Sequence, residues 1–328
     1  MEARYYEKLE NDRVRCLLCP QTCTIKPGRT GICRIRKNVD GLLIADGYGQ
    51  VTSMAIDPIE KKPLYHFHPG KPILSIGNNG CNLRCLFCQN CEISQFTAPT
   101  REVSPEELVE IASRRGSIGI AFTYAEPMIW IEYVCDCGKL AREKGLKNVL
   151  VTNGMINPEP LKELIDVIDA MNIDLKSMNP DFYRRLCGGY RDPVLVTIQT
   201  VHAAGIHIEL ANLLVTGEND SDEDIANLTD WVADLDPEIP VHFSRYFPYY
   251  KYDNPPTPME RLEAAYHIAR RKLKWIYVGN IPHVEFNSTV CPTCGNVLIR
   301  RNRYTVDLPG IEQRRCSVCA AELPIIGL

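Results

Sequence analysis

The chain has 328 residues, 45% of them hydrophobic and 24% charged, with a formal net charge of −4. That balance excludes a wholly disordered chain, and the slight acidity leaves no global basic footprint for nucleic acid. No apolar run reaches the ~18 residues of a membrane span, and the polar start Met1-Glu2-Ala3-Arg4 lacks the apolar stretch of a signal peptide, so a cytoplasmic location is expected.

Three divisions are expected in chain order. Residues 1–70 are turn-rich and cysteine-rich. They end in Lys62-Pro63-Leu64-Tyr65-His66-Phe67-His68-Pro69-Gly70, whose prolines predict an extended connector. Residues 71–284 alternate strand and helix patterns. Ile73 to Ile76 reads as a first strand. Ser104, Pro105 and Glu107 form a capping box that opens a helix. A strand from Ile118 to Thr123 and a helix from Met128 to Lys144 follow, the helix stopped by Gly145. Val149 to Val151 is the third strand, and Asn157-Pro158 opens a helix to Ile168. Met171 to Leu175 is the fourth strand, with a short helix at Asp181 to Leu186 and a longer one from Pro193 to Ala204. Ile206 to Val215 is the fifth strand, and Ser221 caps a helix to Leu235. Val241 to Phe243 lies in the sixth. Thr257 and Glu260 predict another capping box and a helix to Lys272, and Trp275 to Val278 a last strand. Residues 285–328 show no long periodic helix.

Strands alternating with helices imply parallel pairing and right-handed crossovers. About 210 residues for six units fall short of the ~250 of a closed barrel, so an α/β fold with a partial (β/α)6 barrel is expected. A doubly wound open sheet is the alternative. Both place chemistry at the carboxyl ends of the strands.

Fifteen cysteines carry the strongest signal. In a reducing compartment they point to metal-bound thiolates rather than disulfides. Cys81, Cys85 and Cys88 stand in a C-x3-C-x2-C loop after the first strand. Three thiolates there can hold three corners of a [4Fe–4S] cube and leave the fourth iron open to a ligand's amine and carboxylate. Cys91 supplies a fourth thiol, so a closed Zn²⁺ site or a fully ligated cluster is the competing reading. Under the open-cluster reading Cys91 is a bystander. At the carboxyl end, Cys291-x2-Cys294 and Cys316-x2-Cys319 are two knuckles separated by 21 residues, the logic of a zinc-ribbon-like domain built on one Zn²⁺. Cys16, Cys19, Cys23 and Cys33 suit Zn²⁺ or an auxiliary [4Fe–4S] cluster. Zn²⁺ is favoured because the segment is short of apolar bulk to shield a cluster. Cys135 and Cys137 lie about 200° apart around a helix and cannot chelate together. Cys187 reads as a buried thiol near the barrel mouth.

Polar residues cluster where later strands end. Glu126-Pro127 follows the second strand, and Asn153 the third. Asp174 and Lys176 close the fourth and share one face of it. A buried pair of charges on a barrel's inner face is costly unless it serves a ligand or bonds to itself. Asn212 lies on the fifth strand and His242 on the sixth. A lone histidine among apolar neighbours is as readily a hydrogen-bonded core group as a ligand contact. His66 and His68, flanked by proline, are not expected to bind metal.

The loop Gly80-Cys81-Asn82-Leu83-Arg84-Cys85-Leu86-Phe87-Cys88-Gln89-Asn90 resembles the signature of the radical S-adenosylmethionine (SAM) superfamily. Thr123-Tyr124-Ala125-Glu126-Pro127 resembles its Gly-Gly-Glu-Pro stretch, with both glycines replaced. With the amino-terminal C-x2-C-P-x2-C, the Lys61 to Phe67 stretch, Leu213 to Asp220 and the last two knuckles, the whole chain resembles the radical SAM enzymes of the AmmeMemoRadiSam system, which are related to pyruvate formate-lyase activating enzymes. The resemblance implies reductive cleavage of SAM to methionine and a 5′-deoxyadenosyl radical, which abstracts hydrogen from an unidentified substrate. Glycyl-radical activation and a non-catalytic metal-binding module are the alternatives. In the resemblance, Glu126 meets the SAM amine, Lys176 its carboxylate, and Asp174 its amine or ribose. Asn153 lies beside the ribose, and His242 near the ribose or adenine, with Asn212 on the same rim. The implied partners are Memo-family and AMMECR-family proteins, with a flavodoxin- or ferredoxin-type electron donor.

Overall fold

The structure is a computed structural model that describes residues 1–281 and 285–328. Its centre is one eight-stranded sheet: β1 (Ser53–Pro58), β2 (Pro72–Gly77), β3 (Gly119–Thr123), β4 (Lys147–Thr152), β5 (Ala170–Asp174), β6 (His207–Leu214), β7 (Val241–Arg245) and β8 (Ile276–Gly279). Strands pair in chain order, with β1 and β8 at the two ends. From β2 to β8 every pair is parallel, whereas β1 runs antiparallel to β2 from Ser53 opposite Gly77 to Pro58 opposite Pro72. The expected partial barrel is therefore present, with six strand–helix units, a seventh parallel strand and an antiparallel edge. Strands covered on both faces read as apolar runs; all five residues of β3, Gly-Ile-Ala-Phe-Thr, are buried.

The crossovers are α1 (Cys91–Ser94) and α2 (Pro105–Arg114) after β2, α3 (Ile131–Glu143) after β3, α4 (Pro158–Ile165) after β4, α5 (Arg191–Ala203) after β5, α6 (Asp222–Leu235) after β6 and α7 (Met259–Ala269) after β7. Local chemistry sets most starts. Ser104 accepts from the Glu107 N–H and Ser221 from the Asp224 N–H, each satisfying a donor that the first turn leaves unpaired. The Thr257 box does not form. Thr257 Oγ1 donates to the Leu214 carbonyl (2.6 Å) and accepts from the Tyr246 N–H (2.8 Å), so α7 starts after Pro258 with no side-chain cap.

The connector also differs from expectation. Residues 62–70 form turns, not an extended link, because they plug the barrel's interior. Asn172 Nδ2 on β5 donates to the Pro63 carbonyl (2.8 Å), and the His66 N–H donates to Glu209 on β6 (2.7 Å). Leu64 and Phe67 pack with Ile73, Ala121, Val149 and Ala170 from β2 to β5. Ser53–Pro58, within the stretch expected to be a separate cysteine-rich segment, joins the barrel sheet as β1.

Two small units flank the barrel. The amino-terminal one holds a three-stranded antiparallel sheet (Tyr6–Lys8, Val14–Cys16, Thr24–Ile25) and a hairpin (Arg36–Val39, Leu42–Ala45). The carboxyl-terminal one is a zinc-ribbon-like domain of short antiparallel strands (Thr289–Val290, Val297–Asn302, Thr305–Asp307, then Ile311–Glu312 with Arg315–Cys316). The expected boundary at 284 lies outside the described residues. Among those described, no helix is long and apolar enough to cross a membrane.

Candidate active site

The loop after β2 carries Cys81, Cys85 and Cys88 across the carboxyl end of the sheet. Gly80 begins it at φ +90°, and a Cβ there would lie 2.1 Å from the Cys33 carbonyl oxygen. Only glycine fits so close an approach of the amino-terminal unit. A π-turn (Tyr183–Cys187) then braces the loop: the Arg84 N–H donates to the Cys187 carbonyl (2.7 Å) and the Leu86 N–H to the Leu186 carbonyl (2.9 Å). Such π-turns cost helical regularity and recur at functional sites.

Each sulfur of the trio has a polar neighbour. Cys81 Sγ accepts from the Leu83 N–H (3.3 Å) and from Asn153 Nδ2 (3.5 Å). Cys88 Sγ lies 3.0 Å from Ser94 Oγ. The neighbouring Cys187 thiol holds Cys85 below the usual thiol range. Burial pushes Cys81 well above that range. Cys91 opens α1 beyond the loop.

Asp174 and Lys176 form an ion pair of 2.8 Å at the end of β5. The Lys176 N–H also donates to the Tyr183 hydroxyl (3.0 Å). Despite burial, Lys176 is held above its usual range by Asp174, Cys85 and Cys187. Asn153 bonds Asn82 Oδ1 (2.9 Å) through its side chain and so ties the end of β4 to the cysteine loop.

Glu126 is buried among protein donors. It is 1% exposed. Its Oε1 accepts from the Met128 N–H (2.9 Å) and Thr152 Oγ1 (2.6 Å), and its Oε2 from the Asn153 N–H (2.8 Å). Burial pushes it up to about 7 while these three donors pull the other way. Asn212 donates to the Leu175 and Lys176 carbonyls (2.7 and 3.2 Å), so it fixes the backbone that presents Lys176. His242, the second residue of β7, bonds Glu209 (2.7 Å) and stacks on Tyr277 at the strand's amino-terminal end. His66 lies 2.7 Å from the Tyr277 hydroxyl.

The geometry thus gathers Cys81, Cys85, Cys88, Asn153, Asp174 and Lys176 at one rim, and leaves Glu126, Asn212 and His242 in supporting bonds. Three contributors gave no local sequence signal: Asn82, Tyr183, and Asn219, whose Nδ2 donates to the Lys176 carbonyl (2.7 Å). Tyr124 is a fourth. It takes φ +70° where a glycine would be at ease, its hydroxyl donates to Asp57 on β1 (2.6 Å), and Lys62 Nζ stands 4.4 Å from its ring centroid.

The other two cysteine groups differ in spread. Cys291 and Cys319 Sγ lie 3.6 Å apart, as do Cys294 and Cys316. All four ligand atoms fall within 4.8 Å of one another, which fits a single ion with metal–sulfur bonds of about 2.3 Å. Cys16, Cys19, Cys23 and Cys33 line one cavity.

A protein-family description named "Radical SAM superfamily" matches residues 75–232. MJ0808 of Methanocaldococcus jannaschii is 47% identical over 334 residues, which cover 99% of each chain. The chain carries a radical SAM domain. Enzymes of named activity match it over shorter spans. Pyruvate formate-lyase 1-activating enzyme of Escherichia coli is 26% identical over 48% of this chain and 66% of its own. GTP 3′,8-cyclase of Peptoclostridium acidaminophilum is 32% identical over 52% of this chain and 53% of its own. The chain thus spans about half to two thirds of these two relatives. The structure of SuiB from Streptococcus suis bound to S-adenosylmethionine shares the fold, with a TM-score of 0.50, 15% identity, and coverage of 65% of this chain and 50% of SuiB. A radical SAM domain implies a [4Fe–4S] cluster and SAM as cofactors.

Proposed function

We propose that this protein is a radical SAM enzyme whose Cys81, Cys85 and Cys88 hold the [4Fe–4S] cluster at the barrel mouth. One observation carries the reading: the three-cysteine loop and the Asp174–Lys176 pair meet at the same rim. The residues fit the group. Cys81 Sγ already receives two polar hydrogens, Cys88 Sγ shares a hydrogen bond with Ser94, and the loop's backbone is fixed from both sides. Held by Cys81, Cys85 and Cys88, the reduced cluster would supply one-electron reductive cleavage of a carbon–sulfur bond of SAM, the chemistry that would start hydrogen-atom abstraction from a substrate.

The chain's own residues bind and orient. Lys176 offers its ammonium to the SAM carboxylate and Asp174 its carboxylate to the amine, both charge-assisted bonds. Asn153 stands beside the ribose and fixes the cysteine loop through Asn82. Glu126 acts as a positioning residue by tying the ends of β3 and β4 together. His242 serves the barrel interior. The carboxyl-terminal quartet holds one Zn²⁺ that shapes the ribbon.

Glycyl-radical activation is a second reading, favoured by the match to the E. coli activating enzyme. Memo-family and AMMECR-family proteins, proposed from the whole-chain resemblance, are the first partners to assay.

The deciding experiment is the EPR spectrum of the anaerobically reconstituted, reduced protein with and without SAM. A [4Fe–4S]⁺ signal that changes with SAM, accompanied by 5′-deoxyadenosine, is expected. A signal indifferent to SAM overturns the reading.

A further inference from the structure

The amino-terminal cysteines form a second built site. Their sulfurs all line one cavity, together with Leu18, Ile25, Ile32 and Ile129. The Ile32 N–H donates to Cys23 Sγ (3.4 Å). Four cysteines converging on one apolar cavity suit a shared metal group, whose positive charge would balance their thiolates there.

Arg36 supplies an independent sign of a ligand. It is 1% exposed and lines the cavity. Its Nη atoms are engaged by Glu132 (3.1 and 2.9 Å) and by the Arg4 carbonyl (2.5 Å). Its Nε has no hydrogen-bond partner. A buried guanidinium N–H left without an acceptor is costly, and a sulfur-rich anionic group in the cavity provides one.

Spacing selects the group. Among the described residues, the ribbon quartet is the one set of three or more potential ligands within 4.8 Å of one another. The amino-terminal sulfurs are not such a set, and neither are those of Cys81, Cys85 and Cys88. A cubane, which would bind each cysteine at a separate iron, suits sulfurs less tightly gathered than a single ion does. The shortage of apolar shielding that favoured Zn²⁺ in the sequence is also made good, because Cys16, Leu18, Ile25, Cys33 and Ile35 are part of the main hydrophobic core with the barrel.

We propose that Cys16, Cys19, Cys23 and Cys33 hold a second, fully ligated [4Fe–4S] cluster, with Arg36 Nε donating to one of its sulfurs. The site touches the first one. Gln21, two residues after Cys19, donates to the carbonyls of Asn82 and Gly188 (both 2.8 Å), and Asn82 adjoins Cys81. The proposal concerns metal content and does not rest on the reading of the barrel mouth.

The test is anaerobic reconstitution of the full chain with iron and sulfide, followed by iron, acid-labile sulfide and zinc analysis and by Mössbauer and EPR spectroscopy. Wild type is expected to hold about eight irons, half of them shifted by SAM. The Cys81→Ser/Cys85→Ser/Cys88→Ser variant is expected to keep about four irons with matching sulfide and a cluster signal indifferent to SAM. The single variant Cys23→Ser, milder for folding, is expected to lose the SAM-indifferent half alone. Zinc at the amino-terminal site, or a triple variant without sulfide, overturns the proposal. If the triple variant keeps its cluster but wild type shows no response to SAM, the barrel-mouth reading fails and this one stands.

Discussion

Two residues at the rim carry separable burdens. Gly80 lies in the left-handed region and against the Cys33 carbonyl oxygen, so a methyl group meets both backbone strain and a clash at 2.1 Å. The Gly80→Ala variant should lose about 2 kcal/mol or more, seen as a lower melting temperature and as poorer iron loading, because the same contact sets the cysteine loop. Lys176 is expected to act on SAM rather than on iron. Its partner Asp174 is 38% exposed at the side chain, so water stabilises the carboxylate when the ammonium is removed. Lys176→Met should therefore weaken SAM binding about 10- to 100-fold, the value of one or two charge-assisted bonds, at unchanged iron content. Equilibrium dialysis with labelled SAM beside iron analysis separates the two effects.

Elements meet at Glu126, which joins the loop after β3 to that after β4. Its folded pKa of about 7 lies above its ordinary value of 4.5. A carboxyl raised on folding favours the folded state most when protonated, so stability falls as pH climbs from about 4.5 to about 7. The loss amounts to about 3 kcal/mol at most. In the metal-free protein, Glu126→Gln should flatten this slope, read as the change in melting temperature between pH 5 and pH 8. Where the sequence was legible follows the same division between local and distant bonds. Ser104 and Ser221 were readable because their acceptor and donor lie three residues apart. Thr257 has the same local pattern, yet Leu214 and Tyr246 claim its hydroxyl from across the fold. β1 gave no signal because an edge strand of Ser-Met-Ala-Ile-Asp-Pro has neither a two-sided apolar run nor alternation. The cysteine loops announced themselves by spacing, whereas Asn82, Gln21 and Asn219 act through bonds to residues dozens of positions away.

At the scale of the molecule, the ribbon is joined to the barrel by a buried cation. Arg301 is fully buried; its Nη1 donates to Thr289 Oγ1 (2.7 Å) and its Nη2 to the Tyr65 carbonyl (2.7 Å). The guanidinium lies 4.1 Å from the Tyr65 ring centroid, and Nε is 3.7 Å from Glu60, itself bonded to the Gly70 N–H (2.8 Å). Tyr65 and Gly70 belong to the connector that plugs the barrel, so Arg301 ties the ribbon to the plug. Burial already pushes Glu60 up, and Arg301 is the largest influence holding it down. Arg301→Met keeps the volume but strands that carboxylate, and should cost about 3–5 kcal/mol. Adding Glu60→Gln should restore part of the loss, since the stranded charge is then gone; a double variant no more stable than the single one would mean that the Tyr65 contacts dominate instead. Chelation of the metal proposed for the ribbon should mimic Arg301→Met in denaturant melts, because Leu298, Ile299 and Cys316 pack with Trp275 and Tyr277 and hold Arg301 in register. If chelation instead leaves the barrel's transition unmoved, the ribbon is an appendage and the connector plugs the barrel unaided.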